Sequence, residues 1–309
     1  MKVKNIFIIF SFFFLTFNVN AQDLNIFTLI ERSKEAVFVS LSDIDRLSEH
    51  PDSLSIPDLS YIEKENYEEF NYIKLSSEYR ARFLLRTKIS ETDKIFIYSY
   101  LKDTLVSIPI NELKAVAWLN GYTNPAECPC PDYYYQIGFE LDNRFLKGFE
   151  SNYTNTLVFI GQKNPFVKNQ VEQVVWQKID STEFPAKSIT LEVNYNFGNK
   201  DFEYEYGESY KFENKEYQFF IRRLNKKNEQ FGLRLLVIDQ KTKENIFEKL
   251  YYSGESASFA PIDNQWVGYL FKNKPIVIFG FQYHSFGCPI IDFVDSDEKG
   301  IRINCDNRH

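Results

Sequence analysis

Apolar and polar residues alternate most regularly near residue 190. The alternation runs without a break over Ile189–Phe197, which is the pattern of a half-buried β-strand. Polar residues at 198–201 supply turn chemistry, after which Phe202, Tyr204 and Tyr206 alternate with glutamates. This pattern predicts a hairpin with one apolar face and one face exposed to water.

The same kind of pattern recurs along most of the chain. Ile276–Phe279 is apolar at every position, which indicates a strand covered on both faces. Short strands joined by polar turns predict a mainly β protein, built as an antiparallel sandwich, barrel or propeller-like sheet. The other predicted strands are 79–89, 95–100, 105–108, 156–160, 217–223, 231–237, 246–252, 266–271, 290–294 and 301–304.

Residues 22–78 differ from this pattern. Asp23 is a candidate N-cap for a helix over 24–34, where apolar residues recur at helical spacing. A strand is predicted at Ala36–Leu41, and a short helix at Ser42–Glu49. We therefore expect a small mixed α/β segment at the N-terminal end of the mature protein, with helix concentrated before residue 78.

The first residues have the pattern of a secretory signal peptide over 1–21. Two lysines precede the apolar run Ile6–Phe17, which is too short for a bilayer span of roughly 20 residues. Val19 and Ala21 are small residues at the positions expected before a cleavage site. We expect an exported mature protein that begins at Gln22. The alternative, an uncleaved membrane anchor, is disfavoured by the length of the run.

The predicted order along the chain follows from these patterns. A polar stretch that contains Pro185 is the expected boundary within the β region. The predicted divisions are a signal peptide at 1–21, a mixed α/β segment at 22–78, a β-rich region at 79–183 and a β-rich C-terminal region at 184–309. No later segment is apolar for long enough to span a membrane.

Composition narrows the classes of partner. The chain has a net charge of −7, and removal of the two signal-peptide lysines leaves −9 for the mature protein. Nucleic acids and anionic lipid surfaces attract positive charge, so neither is an expected partner. The 30 Phe and 20 Tyr residues fill the apolar faces of predicted strands, and core packing explains them better than stacking on sugars does.

The four cysteines are the most informative single residues. An even number in an exported chain favours disulfide bonds, and three connectivities are possible. A bond between Cys288 and Cys305 is predicted, because the segment between them has the pattern of a hairpin. Cys128 and Cys130 are separated only by Pro129. A bond between them would close a very small, strained ring, so a bond from each to another cysteine is the alternative.

Two alternative roles for the cysteines are weaker. His284 and His309 each lie four residues from a cysteine, which together with Cys128 and Cys130 gives six soft or borderline metal ligands. Their spacing is loose for a zinc site. Thiol redox chemistry at Cys128-Pro129-Cys130 lacks a thioredoxin-like frame. The sequence therefore assigns no metal ligand and no cofactor.

The sequence evidence for hydrolytic residues is also weak. Gly254–Ser258 resembles a nucleophile elbow but lacks the second glycine, and only His284 remains as a partner, since His50 and His309 lie in polar or terminal positions. Glu203 and Glu205 share one strand face about 7 Å apart. That face is the exposed one, which predicts that both glutamates are solvated and not catalytic.

One acidic turn resembles a calcium loop. Asp295–Gly300 has acidic residues at its first and third positions and glycine at the sixth. Lys299 stands where an oxygen ligand is needed, so a charged hairpin turn is the preferred interpretation.

These observations favour an exported, non-enzymatic β-rich protein that binds or supports something in the cell envelope or outside the cell. The alternatives are a secreted hydrolase, acting for example on glycans, and a metal-binding envelope protein. A hydrolase needs a cleft where two carboxylates, or His284 and a nucleophile, converge. A flat or convex aromatic surface would instead indicate binding. No catalytic residue is assigned.

Overall fold

The computed structural model describes residues 24–33, 36–45, 56–185, 205–254, 257–285, 287–295 and 297–306. The protein is mainly β, as predicted, and its strands form several antiparallel sheets. The described strands are β1 (Ile26–Phe27), β2 (Ile30–Glu31), β3 (Ala36–Ser40), β4 (Tyr72–Lys74), β5 (Lys94–Ser99), β6 (Thr104–Pro109), β7 (Lys114–Leu119), β8 (Tyr135–Asp142), β9 (Thr156–Gly161), β10 (Val171–Gln173), β11 (Gln177–Ile179), β12 (Glu205–Glu213), β13 (Tyr217–Lys226), β14 (Glu229–Asp239), β15 (Asn245–Tyr252), β16 (Ala257–Phe259), β17 (Trp266–Gly268), β18 (Val277–Phe279), β19 (Gln282–His284), β20 (Ile290–Phe293) and β21 (Ile301–Arg302).

Helical structure is minor in this part of the chain. The α-helix α1 covers Ser77–Thr87. The described 3-10 helices are Lys64–Asn71, Ile110–Glu112, Pro125–Glu127, Asp132–Tyr134, Asn143–Leu146 and Ser181–Glu183. No helix among the described residues is both long enough and apolar enough to cross a bilayer.

The sheets are stacked as four layers. Sheet 1 has the strand order β2-β3-β8-β7-β4 and sheet 2 the order β1-β9-β5-β6. Sheet 3 has the order β10-β17-β18-β20-β21, sheet 4 the order β11-β12-β13-β14-β15, and β16 pairs with β19 in a separate ribbon. One apolar core lies between sheets 1 and 2, a second between sheets 2 and 3, and a third between sheets 3 and 4.

The inner layers, sheets 2 and 3, are apolar on both faces. In β5, Ile95 and Ile97 belong to the core with sheet 1, whereas Phe96 and Tyr98 belong to the core with sheet 3. In β18, Val277 faces sheet 2 while Ile278 packs against sheet 4. The prediction that the run at 276–279 is covered on both faces is therefore confirmed. Side chains of a strand alternate between faces, so a continuous apolar run is what an inner layer requires.

The strand predictions in the second half of the chain are confirmed at each described segment, although the strands predicted over 266–271 and 301–304 end at Gly268 and Arg302. β13 and β14 pair antiparallel through a turn at Lys227 and Asn228, both of which have positive φ, and β15 pairs with β14. The predicted hairpin at 189–206 lies outside the described residues except for Glu205 and Tyr206. Tyr206 was expected on the buried face, but its side chain is 55% exposed, and the Arg222 guanidinium lies 4.7 Å from its ring centroid.

The predicted helix over 24–34 is wrong. The described part of this segment contains the short strands β1 and β2. Ile26 belongs to the core between sheets 2 and 3, and Phe27 to the core between sheets 1 and 2. Adjacent residues can reach opposite cores only in a strand, so pairing with β9 overrides local helix propensity. Of the predicted helix at Ser42–Glu49, only residues 42–45 are described, and they form a turn.

The predicted strand over 79–89 is also wrong, because this segment forms α1. The helix buries only Phe83 and Leu84, so its apolar stripe is too narrow to dominate the sequence pattern. Arg86 on its last turn forms a buried bidentate ion pair with Asp45, at 3.0 Å. Helix is therefore not confined to the region before residue 78.

Both pairs of cysteines form disulfides. The predicted bond between Cys288 and Cys305 is confirmed, with 5.6 Å between the two Cα atoms. The alternative in which Cys128 and Cys130 each bond to another cysteine is wrong, because they bond to each other. Their Cα atoms are 4.4 Å apart, which is within the range a disulfide spans, so the two-residue separation does not prevent the bond.

Strand pairing joins distant parts of the chain. β1 pairs with β9, β10 pairs with β17, and Phe27 forms a parallel bridge with Asn304. Beyond Cys305, buried Asp306 accepts a hydrogen bond from Ser40 of β3. The C-terminal segment thus connects sheet 3 with sheet 1. The sequence divisions at 78 and 183 stay predictions.

Candidate functional site

A cavity of about 270 Å³ opens where sheets 2 and 3 end and β15 of sheet 4 passes beside them. We call it the aromatic cavity. Its wall combines residues that follow or begin strands of sheet 2, residues at the corresponding ends of β18 and β20, and the whole of β19. The lining residues are Thr28, Tyr100, Thr154, Thr156, Leu157, Lys249, Tyr251, Asn264, Phe279, Gly280, Phe281, Gln282, Tyr283, His284, Pro289, Ile290, Ile291 and Ile303.

Packed aromatic rings hold this wall in place. The Tyr100 ring meets Phe279 edge-on, with 5.1 Å between centroids, and also meets Trp266 at 5.0 Å. Tyr251 stacks on Phe281 with a centroid separation of 4.8 Å. Aromatic pairs at these distances contribute about 0.5–1.5 kcal/mol beyond the burial of their area, so the rings form a preformed apolar surface.

Gly280 allows the chain to turn from β18 into β19. It has a φ of +92°, and a Cβ at this position would lie 2.2 Å from the carbonyl oxygen of Asn264. The buried Gln265 side chain fixes the same turn, because its amide donates to the carbonyls of Gly280 and Pro261, each at 3.0 Å. The turn places Phe279 and Phe281 side by side on the cavity wall.

One buried ionic group lies next to the cavity. Lys249 Nζ donates to both carboxylate oxygens of Asp292, at 2.7 and 2.8 Å, and the Tyr251 hydroxyl donates to the same carboxylate at 2.8 Å. Asp292 itself is not among the lining residues. Lys249 therefore presents a positive charge to the cavity, while the balancing carboxylate lies behind it.

His284 is a titratable residue in the wall of the aromatic cavity. Desolvation, followed by the nearby Lys249 ammonium, holds the pKa of His284 below its ordinary value of 6.5. His284 pairs with Ala257 across the β16–β19 ribbon. Its side chain forms no hydrogen bond to any residue in the part of the chain that the structure describes. A neutral imidazole is therefore available to a ligand at neutral pH.

A buried hydroxyl in the wall also lacks a hydrogen-bond partner among the described residues. Thr156 is 2% exposed and lines the cavity, and its Oγ1 has no hydrogen bond to the described part of the chain. A buried polar group without a partner costs about 1–3 kcal/mol. Burial raises the pKa of the Tyr100 and Tyr251 phenols well above 10, so both lining hydroxyls stay protonated.

The Cys288–Cys305 disulfide borders the cavity. Cys288 directly precedes Pro289 and Ile290 of the wall, and Cys305 follows Ile303 after one residue. The backbone N–H of Cys305 also donates to the Cys288 sulfur at 3.2 Å. The bond therefore joins the two chain segments that supply the aliphatic side of the cavity.

No protein-family model, no curated protein and no solved structure matches this chain. The site is therefore interpreted from its own geometry.

A second cavity, of about 480 Å³, lies at the opposite end of β15 and β20. We call it the acidic cavity. Asp239 and Asp295 line it together with Tyr217, Asn245, Ile246, Tyr269, Pro275, Ile276 and Val294. Asp239 accepts hydrogen bonds from the backbone of Lys241 and Thr242, which hold its pKa below 3.8. Asp295 accepts from the backbone of Asp297. Both carboxylates stabilise turns, and the lowered pKa of Asp239 is the opposite of what a general acid needs.

The candidate catalytic and metal-ligating residues from the sequence lie in several separate places. His284 lies in the aromatic cavity, Glu205 is exposed on β12, and Asp295 lines the acidic cavity. All four cysteines are oxidised, so none is available as a thiolate ligand. Among the described residues, no group of three or more His, Cys, Asp or Glu could hold a metal. The candidates outside the described residues are Glu203, Glu255, Ser256, His50 and His309.

Sequence reasoning missed most of the aromatic cavity. The available signal was the run Phe279-Gly280-Phe281, in which a glycine interrupts an apolar strand. A glycine inside a strand pattern indicates a bulge or close backbone approach, which is its role here.

Proposed function

We propose that this is an exported binding protein that holds a small, largely apolar organic molecule in the aromatic cavity and does not transform it. The main support for this proposal is the aromatic cavity itself. A preformed concave surface of aromatic and aliphatic side chains, with a few polar groups at one side, is the usual form of a small-molecule site.

The chemistry of the lining favours binding over hydrolysis. The aromatic cavity has no carboxylate among its described lining residues, and His284 has no described partner that could act with it as a nucleophile or an orienting acid. The acidic cavity does have two carboxylates, but both accept backbone hydrogen bonds in turns, and those to Asp239 hold its pKa below the ordinary value. Neither cavity therefore supplies the acid and base that a glycosidase needs.

Export is supported by two independent features. The pattern of residues 1–21 is that of a cleaved leader. The two disulfides are typical of chains that fold in an oxidising compartment. Edman sequencing of protein recovered from outside the cytoplasm should begin at Gln22. A chain that stays in the cytoplasm with free thiols would contradict export.

Binding is tested with 1-octanol as an uncharged apolar probe and with protein labelled at isoleucine δ1-methyl groups. Ile290, Ile291 and Ile303 line the cavity and should shift in NMR spectra on titration, whereas Ile137, buried in sheet 1, should not. Ile290→Trp should abolish the shifts of Ile291 and Ile303, because the larger ring fills the space.

Leu85→Trp is the matched control for this experiment. Leu85 is 80% exposed on α1, so the same residue type introduced there should leave the titration unchanged. Equal shifts at Ile137 and at the cavity methyl groups, or unaltered binding to the Ile290→Trp protein, would contradict a site in the aromatic cavity.

A further inference from the structure

The polar lining of the aromatic cavity offers hydrogen-bond donors. Lys249 uses two of its three N–H groups on Asp292, which leaves one for a ligand. The Thr156 hydroxyl is buried without a described partner, and His284 carries an N–H in its neutral form. Lys249 is the one lining residue with a formal charge at neutral pH among those described.

Five aromatic rings line the cavity, which raises the alternative of a cage for organic cations: Tyr100, Tyr251, Phe279, Phe281 and Tyr283. Two observations oppose that alternative. The Lys249 ammonium already lies 5.0 Å from the Tyr251 ring centroid, so a cation of the protein occupies this cation–π position. A second cation in the cavity would also meet the Lys249 ammonium, which lines the wall, before the Asp292 carboxylate, which does not.

We propose that the ligand is an anionic amphiphile, an apolar chain or ring that ends in a carboxylate, and that Lys249 binds this carboxylate. This inference rests on the proposed binding function and specifies its ligand class. The apolar body lies against Phe279, Phe281 and the isoleucines, while the head group accepts hydrogen bonds from Lys249 and His284. Both oxygens of Asp292 are already engaged by Lys249 and Tyr251, which limits repulsion between Asp292 and the bound anion.

Three probes with the same chain length test the charge preference of the wild-type protein: octanoate, 1-octanol and octylammonium, titrated at pH 7.5 below their micellar concentrations. The isoleucine methyl signals report binding. Octanoate should bind about tenfold more tightly than 1-octanol, because a charge-assisted hydrogen bond from Lys249 to the carboxylate is stronger than a hydrogen bond to a neutral hydroxyl. Octylammonium should bind more weakly than either.

A double variant tests the role of Lys249. Lys249→Met alone would leave a buried carboxylate unpaired, so Lys249→Met/Asp292→Asn removes both charges and keeps an acceptor for Tyr251. The ratio of octanoate to 1-octanol affinity should fall to about one, because the loss of the Lys249 charge weakens octanoate binding more than 1-octanol binding. Lys274→Met/Glu298→Gln removes an ion pair that lies away from the cavity, and it should preserve the wild-type ratio.

Each outcome has a defined consequence. Equal affinity for octanoate and 1-octanol, or tighter binding of octylammonium, would overturn the anionic ligand class while binding itself stands. Failure of all three probes would overturn both proposals. If the double variant does not fold, the order of the three probes on wild-type protein still decides the ligand class.

Discussion

The aromatic and acidic cavities lie at opposite ends of the same two strands. β15 supplies Lys249 and Tyr251 to one and Asn245 and Ile246 to the other. Their chemistry nevertheless differs, because the connecting segments differ. At the acidic end, both carboxylates accept hydrogen bonds from the backbone of short polar turns. At the aromatic end, the turn at Gly280 and the disulfide-linked segments present rings and donors that have free hydrogen-bonding capacity. The loops, not the shared strands, therefore determine which end presents an apolar wall with available hydrogen-bond donors.

The largest expected effect comes from the disulfide that borders the aromatic cavity. Cys288→Ser/Cys305→Ser should lower the free energy of unfolding by about 3 kcal/mol, because the bond closes a loop with a sequence separation of 17 residues. It should also weaken 1-octanol binding, since Ile290 and Ile303 are no longer held together. Urea unfolding and the methyl titration measure the two effects.

Cys128→Ser/Cys130→Ser is the matched control for the disulfide prediction. This bond has a sequence separation of two and lies in the loop beyond β7, so its removal should cost less stability and leave octanol binding intact. If removal of the Cys128–Cys130 bond weakened octanol binding as much as removal of the Cys288–Cys305 bond, the specific role of Cys288–Cys305 at the aromatic cavity would be contradicted.

Gly280→Ala tests the turn that builds the aromatic wall. We expect a loss of about 2 kcal/mol or more in the free energy of unfolding, because the added Cβ meets the Asn264 carbonyl and φ is positive. Gly121→Ala is the control, since no atom lies within 4 Å of a Cβ at that position. Chemical denaturation of both variants should separate them clearly; equal stability would show that the Gly280 turn can relax.

Asp239 should titrate below its ordinary value of 3.8 in the folded protein, because its carboxylate accepts backbone hydrogen bonds from Thr242 and Lys241. Carboxyl ¹³C shifts measured as a function of pH give this pKa directly. A pKa raised to about 6–7 would keep a substantial fraction of the carboxyl group protonated near neutral pH, and the acidic cavity would then become the better candidate for hydrolysis.

His284 should titrate below 6.5, with the Hε1 proton shift as the measure, since desolvation and Lys249 both oppose protonation. The unfolded chain binds this proton near pH 6.5 and the folded protein only at lower pH. Stability therefore decreases as pH falls below about 6.5, and His284→Gln should remove that small contribution. A pKa above 6.5 would indicate an unrecognised acidic neighbour and would weaken the case for an anionic ligand.

Local patterns predicted the strands but not the layers. The apolar run at 276–279 predicted a strand buried on both faces, since alternation determines how many faces a strand buries. The same reasoning failed for α1, whose two buried residues leave little periodic signal. It also failed for β1, whose strand form depends on pairing with β9, which lies more than 100 residues later in the chain. No local pattern reports such distant pairing.

The candidate site was less predictable than the fold. His284 and the Cys288–Cys305 pair were singled out from the sequence, but Tyr100, Thr156 and Lys249 reach the same cavity only through the stacking of sheets 2, 3 and 4. Each of these residues is ordinary in its own segment of the chain. Their chemistry arises from burial and from neighbours that are distant in sequence, which a single sequence does not encode locally.

Crystals of the wild-type protein pressurised with xenon provide the most direct test of the central claim that the aromatic cavity is a preformed apolar binding site. Apolar cavities stay dry and accept xenon, whereas polar cavities retain ordered water. We predict xenon density between Tyr100, Phe281 and Ile303, and water without xenon in the acidic cavity. Ordered water filling the aromatic cavity, with no xenon there, would contradict the claim.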